Sequence, residues 1–480
     1  MLLLNFAPTK VQSSIRHLRH LAHRPVLASC ASMDESHLAP LPQRARATAL
    51  NRPSKSARVE PSTGSSAGFS TVAMVTPRNI VQIDGSILEG GGQIVRICTA
   101  LSALLGTPIR LDKIRAGRSK GGLAAQHAAG LNLVGRICGA TLEGASVGSS
   151  TVTMRPGRLA DGGHFTADAE TAGATMLMLQ SALPCCCFSA QGTNGDVASR
   201  TTPTTLVLKG GTNVPFAPQY EYMEHVTLAT MRRVLGLDIA MALTRRGCFP
   251  RGGGEVTVKV GALRGPLPCF EILERGRVVR IFGRVWASGR VAVQSVFRDV
   301  DDACQRALGA HPALKSVPIS LEPASASSSG GGSDGCGVVL WALTSTGCVL
   351  GASALLDKKA TAPAAPQQVA AEAVRELAQE LAHGGCVDAH LQDQLIVMMA
   401  LAQGTSKLRA GPLTLHTEPA MYMCGLLTGA TFSVTKEAAE VTSAEEEGGG
   451  GLSRSGEGGG EAGSQRVVIE CQGIGYCKGP

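Results

Sequence analysis

Short strand-like patterns and longer helix-like patterns of apolar positions alternate along the chain from residue 80 onward. Residues 81–86 alternate apolar and polar positions, which is typical of a strand, and residues 90–106 begin with three glycines and continue as an apolar helix. A second strand, a second helix and a closing hairpin follow. The pattern therefore predicts one β-α-β-α-β-β unit over residues 80–160.

The same order of elements returns twice. It recurs over residues 161–265, and a third unit is split between 266–275 and 367–480, the second part containing a polar, Gly-rich loop at 441–465. Residues 276–366 interrupt that third unit with strands and a helix of their own, which predicts an inserted α/β domain. The predicted fold class is α/β (α+β), with three similar units and one smaller insertion.

Basic charge is concentrated at the start of the chain. Residues 1–79 carry ten Lys or Arg against three Asp or Glu, so they hold +7 of the formal net charge of +8, and the remaining 401 residues are nearly neutral. This composition resembles an organellar transit peptide; the alternative is a disordered leader, or translation starting at Met33 or Met74. A neutral body restricts any nucleic-acid site to a local cluster of basic side chains.

Two further properties limit the class of protein. No apolar run reaches the roughly 20 residues that a membrane-spanning helix needs. The fifteen cysteines form no CxxC pair or zinc-like spacing, so we expect buried free thiols rather than disulfides or a metal centre. The body is therefore expected to be soluble and to have no membrane partner.

The first unit contains a candidate anion site. The turn Glu89–Gly92 opens a helix, where glycine permits close approach of a ligand and exposed N–H groups attract anions. The next strand ends in KIRAGRSK (113–120), which brings Arg115 and Arg118 together, and Arg96 lies at the start of the preceding helix. Guanidinium forks suit phosphate oxygens. The alternatives are a plain tight turn and a solvated basic strand end.

Two segments of the third unit place polar side chains near helix starts. Asp388, His390, Asp393 and Gln394 stand ahead of a strongly apolar helix, which indicates either a polar rim over a nucleotide pocket or simple complementation of the helix dipole. His416 ends a predicted short strand, where a lone histidine is structural most of the time. Its neutral imidazole is nevertheless a good nucleophile near pH 7.

Several long motifs, in order along the chain, resemble those of the RNA 3′-terminal phosphate cyclases. They are DGSILEGGGQIVR, KIRAGRSKGGLAAQH, LKGGTN, PRGGGEV, HLQDQL, LTLHTEPA and ECQGIG, and the resemblance runs from about Val81 to Gly475. It implies three repeats of the translation-initiation-factor C-terminal-domain type around a pseudo-threefold axis, plus an inserted α/β domain. It also implies ATP-dependent conversion of an RNA 3′-terminal phosphate to a 2′,3′-cyclic phosphate, releasing pyrophosphate and AMP.

The resemblance gives each candidate residue a role. His416 matches the nucleophile that forms a histidine–AMP intermediate, from which AMP passes to the RNA 3′-phosphate before the 2′-OH closes the ring. Glu89 matches a ligand of Mg²⁺ or Mn²⁺. The positions that match the ATP or AMP site are Gln180, Pro218, His390, Asp393 and Gln394, and those that match the RNA 3′-phosphate site are Arg96, Arg115, Arg118 and Gln126.

Two positions depart from the family pattern. His390 stands where close relatives usually carry a tyrosine near the adenine, so nucleotide affinity is expected to be lower because less area is buried. Gly121 replaces the proline commonly found after RAGR, which loosens the predicted phosphate-binding loop. Neither change removes a group that performs chemistry.

The sequence leaves two alternative functions open. One is the non-catalytic, cyclase-like branch that serves in ribosome biogenesis, which lacks the histidine nucleophile. The other is the enolpyruvate transferases, which share a related repeat architecture and need no nucleophilic histidine. Relatives of the cyclase type act in the nucleus or cytosol, whereas the leader favours an organelle. Oligomeric state, preferred metal and physiological RNAs do not follow from the residues.

Overall fold

The computed structural model describes residues 79–87, 91–189, 202–263, 265–289, 293–324, 334–356, 365–437 and 465–478. Outside these residues lie Glu89, nearly all of the predicted leader and nearly all of the loop predicted at 441–465. No helix within them is both long enough and apolar enough to cross a membrane.

The first unit is a four-stranded sheet with two helices. Its elements are β1 (Val81–Asp84), α1 (Gly92–Leu105), β2 (Ile109–Asp112), α2 (Ala125–Ile137), β3 (Thr141–Glu143) and β4 (Val152–Arg155). The strand order is β1-β2-β4-β3, with β1 and β2 parallel and the other pairs antiparallel. Helix α1 ends at Gly106, whose φ of 61° is a left-handed conformation that glycine adopts without strain.

The second unit repeats this arrangement. Its elements are β5 (Gly163–Asp168), α3 (Thr175–Ser189), β6 (Thr204–Gly210), α4 (Tyr220–Tyr222), a π-helical segment (Met223–Leu228), α5 (Ala229–Leu235), β7 (Ile239–Arg245) and β8 (Gly254–Val260). The strand order, β5-β6-β8-β7, is that of the first unit with the same parallel and antiparallel pairs.

The third unit begins with β9 (Glu271–Ile272) and is then interrupted by the insertion. The inserted elements are β10 (Val278–Ser288), α6 (Val293–Ala310), β11 (Ile319–Pro323), β12 (Gly335–Thr344), β13 (Val349–Leu355) and α7 (Ala365–Ala382). They form a sheet of order β11-β10-β12-β13 with α6 and α7 packed on it and on each other. Helix α7 packs on α6 and on strands β12 and β13 of the inserted sheet, and the predicted boundary between residues 366 and 367 stays a prediction.

The third unit resumes after the insertion. Its remaining elements are α8 (Ala389–Leu401), β14 (Gln403–Ala410), α9 (Thr417–Thr428), β15 (Thr431–Glu437) and β16 (Arg466–Ile474). The strand order β9-β14-β16-β15 again matches the first unit, and β9 is parallel to β14. At the two ends of the insertion the Arg275 guanidinium donates a hydrogen bond to the Leu381 carbonyl oxygen.

Helices from all three units meet in one core. Helix α1 packs against α2, α3 and α9, and α8 packs against α3 and α9. These helices are apolar on most faces because each is covered both by its own sheet and by the helices of other units. The α/β class predicted from the sequence is confirmed, and polar side chains at the ends of these central helices are brought close together.

A buried ion pair joins the second unit to the insertion. Arg246 Nη2 lies 2.6 Å from Glu221 Oε1, and both side chains are only 3% exposed. Asn213 bonds both partners, donating to Glu221 and accepting from Arg246. The guanidinium carbon lies 5.0 Å from the ring centroid of Trp286 on β10. Both charges are thus paired and hydrogen-bonded, as burial requires.

Candidate active site

A cavity with a polar side lies between α1, α3, the π-helical segment and α8. Its polar lining residues are Gln93, Arg96, Gln180, Thr227, Asp393 and Gln394. The remaining wall is mainly apolar and includes Ile97, Leu183, Met223 and Met398. Four residues predicted from the sequence therefore share one cavity, whose wall combines amide and charged groups with apolar surface.

A chain of hydrogen bonds links His416 to this cavity. His416 Nδ1 lies 3.2 Å from Gln93 Oε1, and Gln93 Nε2 donates to Asp393 Oδ2 at 2.5 Å. Since the carboxylate takes the amide N–H, the amide oxygen must accept, so Nδ1 of His416 carries the proton. In the neutral ring the lone pair is then at Nε2. The three side chains fix both the tautomer and the orientation of the imidazole.

His416 does not end a strand, contrary to the sequence prediction. Strand β14 ends at Ala410, because Pro412 cannot donate to a sheet ladder, and residues 411–416 form a turn. His416 is the residue immediately before α9, and its backbone N–H donates to Thr414 Oγ1 at 3.3 Å. The turn places the imidazole at the helix start, beside α1.

Asp393 lies one turn into α8, in a setting that disfavours its charge. Burial raises the pKa of its carboxyl to about 6, although the nearby charges of Arg96, His416 and His390 act in the opposite direction. This group therefore changes its protonation close to neutral pH.

His390 lies one turn before Gln394 on the same helix but outside the cavity lining. Its Nε2 donates to Glu376 Oε1 at 3.1 Å, and this bond raises the pKa of the imidazole to about 9 despite the opposing effect of desolvation. The ring meets Tyr222 edge to face with centroids 6.0 Å apart. Tyr222 in turn donates to Asp388, the N-cap of α8, so His390 is held by an ordered network.

Basic side chains of the first unit lie within electrostatic range of His127, a buried residue of α2. Burial lowers the pKa of His127 to about 3, and the charges of Arg96 and Arg115 lower it further. Burial followed by the charge of Arg118 lowers the pKa of Arg115, which places Arg118 in the same cluster. Lys113 is turned away, since its Nζ lies 2.7 Å from Asp84 Oδ2. Three of the predicted phosphate residues therefore lie together.

Two further predicted positions are Gln126, on α2 beside the second unit, and Pro218, within the second unit. Gln126 abuts Gly173, where an added Cβ would lie 3.2 Å from the Gln126 backbone nitrogen. Pro218 does not line the cavity; it stands one residue before Gln219, the N-cap of α4. Loop 213–219 packs through Val214 and Ala217 on the start of α3.

Glu89, the predicted metal ligand, lies outside the described residues. Within them, no group of three or more His, Cys, Asp or Glu side chains is arranged to hold a metal ion. An ion carried by ATP phosphates needs only one or two carboxylates. Glu89 therefore stays a prediction.

Gln93 is a site residue that the sequence prediction missed. It is buried, with 4% of its surface exposed, and a buried amide normally needs hydrogen-bond partners. It stands three residues before Arg96, which puts both side chains on one face of α1. That spacing was the available signal; its partners lie 300 and 323 residues away.

Comparison with known proteins identifies similar chains over the part of the sequence that contains these residues. A family model described as RNA 3′-terminal phosphate cyclase matches residues 87–434, which contain every predicted site residue. A probable RNA 3′-terminal phosphate cyclase of Dictyostelium discoideum is 36% identical over 367 residues, covering 76% of this chain and 80% of that protein. The Drosophila melanogaster cyclase is 35% identical over 358 residues (75% and 93%), and that of Pyrobaculum neutrophilum is 33% identical over 396 residues (82% and 99%).

Proposed function

Because the chain belongs to the RNA 3′-terminal phosphate cyclase family, we propose that it uses ATP to convert an RNA 3′-terminal phosphate into a 2′,3′-cyclic phosphate. The reaction passes through an AMP adduct of His416 and an RNA(3′)pp(5′)A intermediate. The observation that carries the proposal is the hydrogen-bonded chain from His416 through Gln93 to Asp393. This arrangement prepares a histidine for attack through Nε2.

In the first step, Nε2 of His416 attacks the α-phosphorus of ATP, a P–N bond forms, and the bond to pyrophosphate breaks. The imidazole gains positive charge as the bond forms. Gln93 holds the Nδ1 proton in place, and the Asp393 carboxylate on the far side of the amide stabilises that charge. Glu89 would hold the Mg²⁺ or Mn²⁺ that offsets the phosphate charge when bound.

In the next steps the AMP moves to RNA. A 3′-phosphate oxygen attacks the adenylated phosphorus and His416 leaves, and then the vicinal 2′-OH attacks the activated 3′-phosphorus and expels AMP. We place the RNA phosphate at Arg96, Arg115, Arg118 and Gln126. Because Arg96 also lines the cavity with Asp393, it stands between the nucleotide side and the phosphate side. Its guanidinium suits oxygens of either phosphate.

The finer architecture and setting are proposals of the same kind. The shared strand order of the three sheets supports repeats of the translation-initiation-factor C-terminal-domain type around a pseudo-threefold axis. The packing of α7 supports a third unit that resumes after this helix. We propose a nuclear or cytosolic site of action, with organellar import through the basic leader as the alternative.

The direct test is incubation with α-³²P-ATP and Mg²⁺ or Mn²⁺, followed by denaturing separation of the protein. We expect an acid-labile, alkali-stable label on the wild-type chain and no label on H416A with an unchanged circular dichroism spectrum. The matched control is H164A, an exposed histidine on β5 with no assigned role, which should label normally. Labelled H416A would refute the nucleophile. A folded wild type that takes no label would favour the non-catalytic ribosome-biogenesis branch.

A further inference from the structure

Two phenylalanine rings on the second unit are exposed and have no part in the proposed chemistry. Phe216 shows 104% of its reference surface and Phe249 shows 54%. The backbone of Phe216 has a φ of 62°, a left-handed conformation that is rare for a bulky residue. Exposure of an aromatic ring on a strained backbone is costly, and such positions cluster at binding sites.

The two rings belong to neighbouring loops. Phe216 is in loop 213–219, and Phe249 is at the tip of the tight turn 248–252, which closes with a 2.8 Å bond from Gly252 N to Cys248 O. Asn213 and Cys248 form a parallel β-bridge that ties the loops together. We refer to residues 213–219 and 248–252 as the aromatic loops.

The aromatic loops contact residues 171–173, a segment that lies beside Gln126 of the predicted phosphate site. Gly252 approaches this segment so closely that an added Cβ would lie 2.3 Å from the Thr171 carbonyl oxygen. Ala217 packs beside the same segment, in contact with the cluster that includes Ala172. The next residue, Gly173, abuts Gln126. The loops that carry the exposed rings therefore border the segment next to Gln126, one of the predicted terminal-phosphate residues.

The charge of these loops suits a nucleic acid. Residues 211–219 contain no charged side chain, and residues 245–254 contain three arginines and no Asp or Glu. Arg246 is buried against Glu221, whereas Arg251 is exposed at the turn. The adjoining turn carries the carboxylates of Asp168 and Glu170. Aromatic rings beside arginines are what proteins use to bind single strands.

We propose that Phe216 and Phe249 stack on the bases of the RNA strand that leads to the terminal phosphate, with Arg251 contacting its backbone. The inference rests on the proposed function and adds to it, because it assigns a site to nucleotides upstream of the reacting end. Stacking has no sequence preference, since every base has a flat face. The surface therefore favours a single-stranded 3′ end of two or more nucleotides over a mononucleotide.

The test compares substrates of increasing length. KM is measured for a nucleoside 3′-phosphate and for 3′-phosphorylated RNAs of two, four and eight nucleotides, with the wild type, F216A, F249A and the double variant. We expect the wild-type KM to fall with length, and each alanine to raise the KM for the longer RNAs about tenfold. The KM for the nucleoside 3′-phosphate and the rate of self-adenylation should stay unchanged.

Ring-retaining and ring-removing variants separate stacking from simple packing. F216Y and F249Y should keep the length dependence, whereas F216L and F249L should lose most of it. Equal KM values for the eight-nucleotide RNA in wild type and double variant would overturn the inference and leave the rings to a protein partner. A wild type that self-adenylates and cyclises no RNA would instead refute the proposed function, so the two failures are distinct.

Discussion

Replacing Gln93 with leucine removes both hydrogen bonds of the chain that orients His416 while keeping a side chain of similar size. The Nδ1 proton of His416 then loses its acceptor at 3.2 Å, and the Asp393 carboxylate loses a donor at 2.5 Å. The imidazole becomes free to rotate and to adopt the tautomer with its proton at Nε2, which cannot attack phosphorus. We therefore expect slower adenylation of His416.

The size of the effect follows from the two bonds. A hydrogen bond contributes a net ~0.5–1.5 kcal/mol, and leaving a buried group without its partner costs roughly 1–3 kcal/mol. If the lost hydrogen bonds raise the activation free energy by about 1.4–2.8 kcal/mol, the rate of adenylation falls about 10- to 100-fold. The affinity for ATP should change far less, because Gln93 is one of several residues that line the cavity.

The assay is rapid-quench labelling with α-³²P-ATP in a single turnover, together with equilibrium ATP binding. The matched variant is Q93E, whose carboxylate still accepts the Nδ1 proton but repels Asp393. We expect Q93E to retain more of the labelling rate below pH 6, where Asp393 is protonated, than above it. A Q93L chain that labels at the wild-type rate would refute the orienting role.

Three further outcomes are expected. Because the pKa of Asp393 is raised to about 6 in the folded chain, the free energy of unfolding falls as pH rises from about 4 to 6, and D393N avoids this loss. Urea unfolding should therefore show D393N gaining up to ~3 kcal/mol relative to wild type between pH 4 and pH 7. A difference that stays constant with pH would contradict this. Glu221→Ala leaves Arg246 buried without its partner and should cost ~3–5 kcal/mol of unfolding free energy, so a loss below ~1 kcal/mol would count against the pair. Glu89→Ala should raise the metal concentration for half-maximal labelling at least about tenfold, and an unchanged titration would remove Glu89 as a ligand.

Local pattern predicted most of the fold. The strand and helix periods of each unit depend only on neighbouring residues, so the order of elements in the first unit and its recurrence in the second could be predicted from the sequence. The packing of α7 could not, because an amphipathic helix after the insertion suits either neighbouring sheet equally well. Its location depends on which sheet is left uncovered, and that is a property of the assembled chain.

The site shows the same division between local and distant information. The basic turn at Arg115 and Arg118 and the polar start of α8 were visible as clusters within a few residues. The partnership of Gln93 with Asp393 and His416 was not, since it crosses 300 or more residues and three helices. The segment before His416 was predicted as a strand, whereas it forms a turn that begins just before Pro412.

The bond between Arg275 and Leu381 at the ends of the insertion bears on the order of folding. Strand β9 must find β14 across 136 residues of chain, which makes the third sheet the most demanding closure of the three. Once the insertion has folded and joined its own ends, only about 30 residues, which include α8, separate the two strands. The entropic free-energy cost of closing the loop between β9 and β14 then falls by about 1.3 kcal/mol, which corresponds to nearly a factor of ten in the equilibrium constant for pairing. The insertion thus acts as an internal clamp, and the third sheet closes fastest when the insertion folds before it.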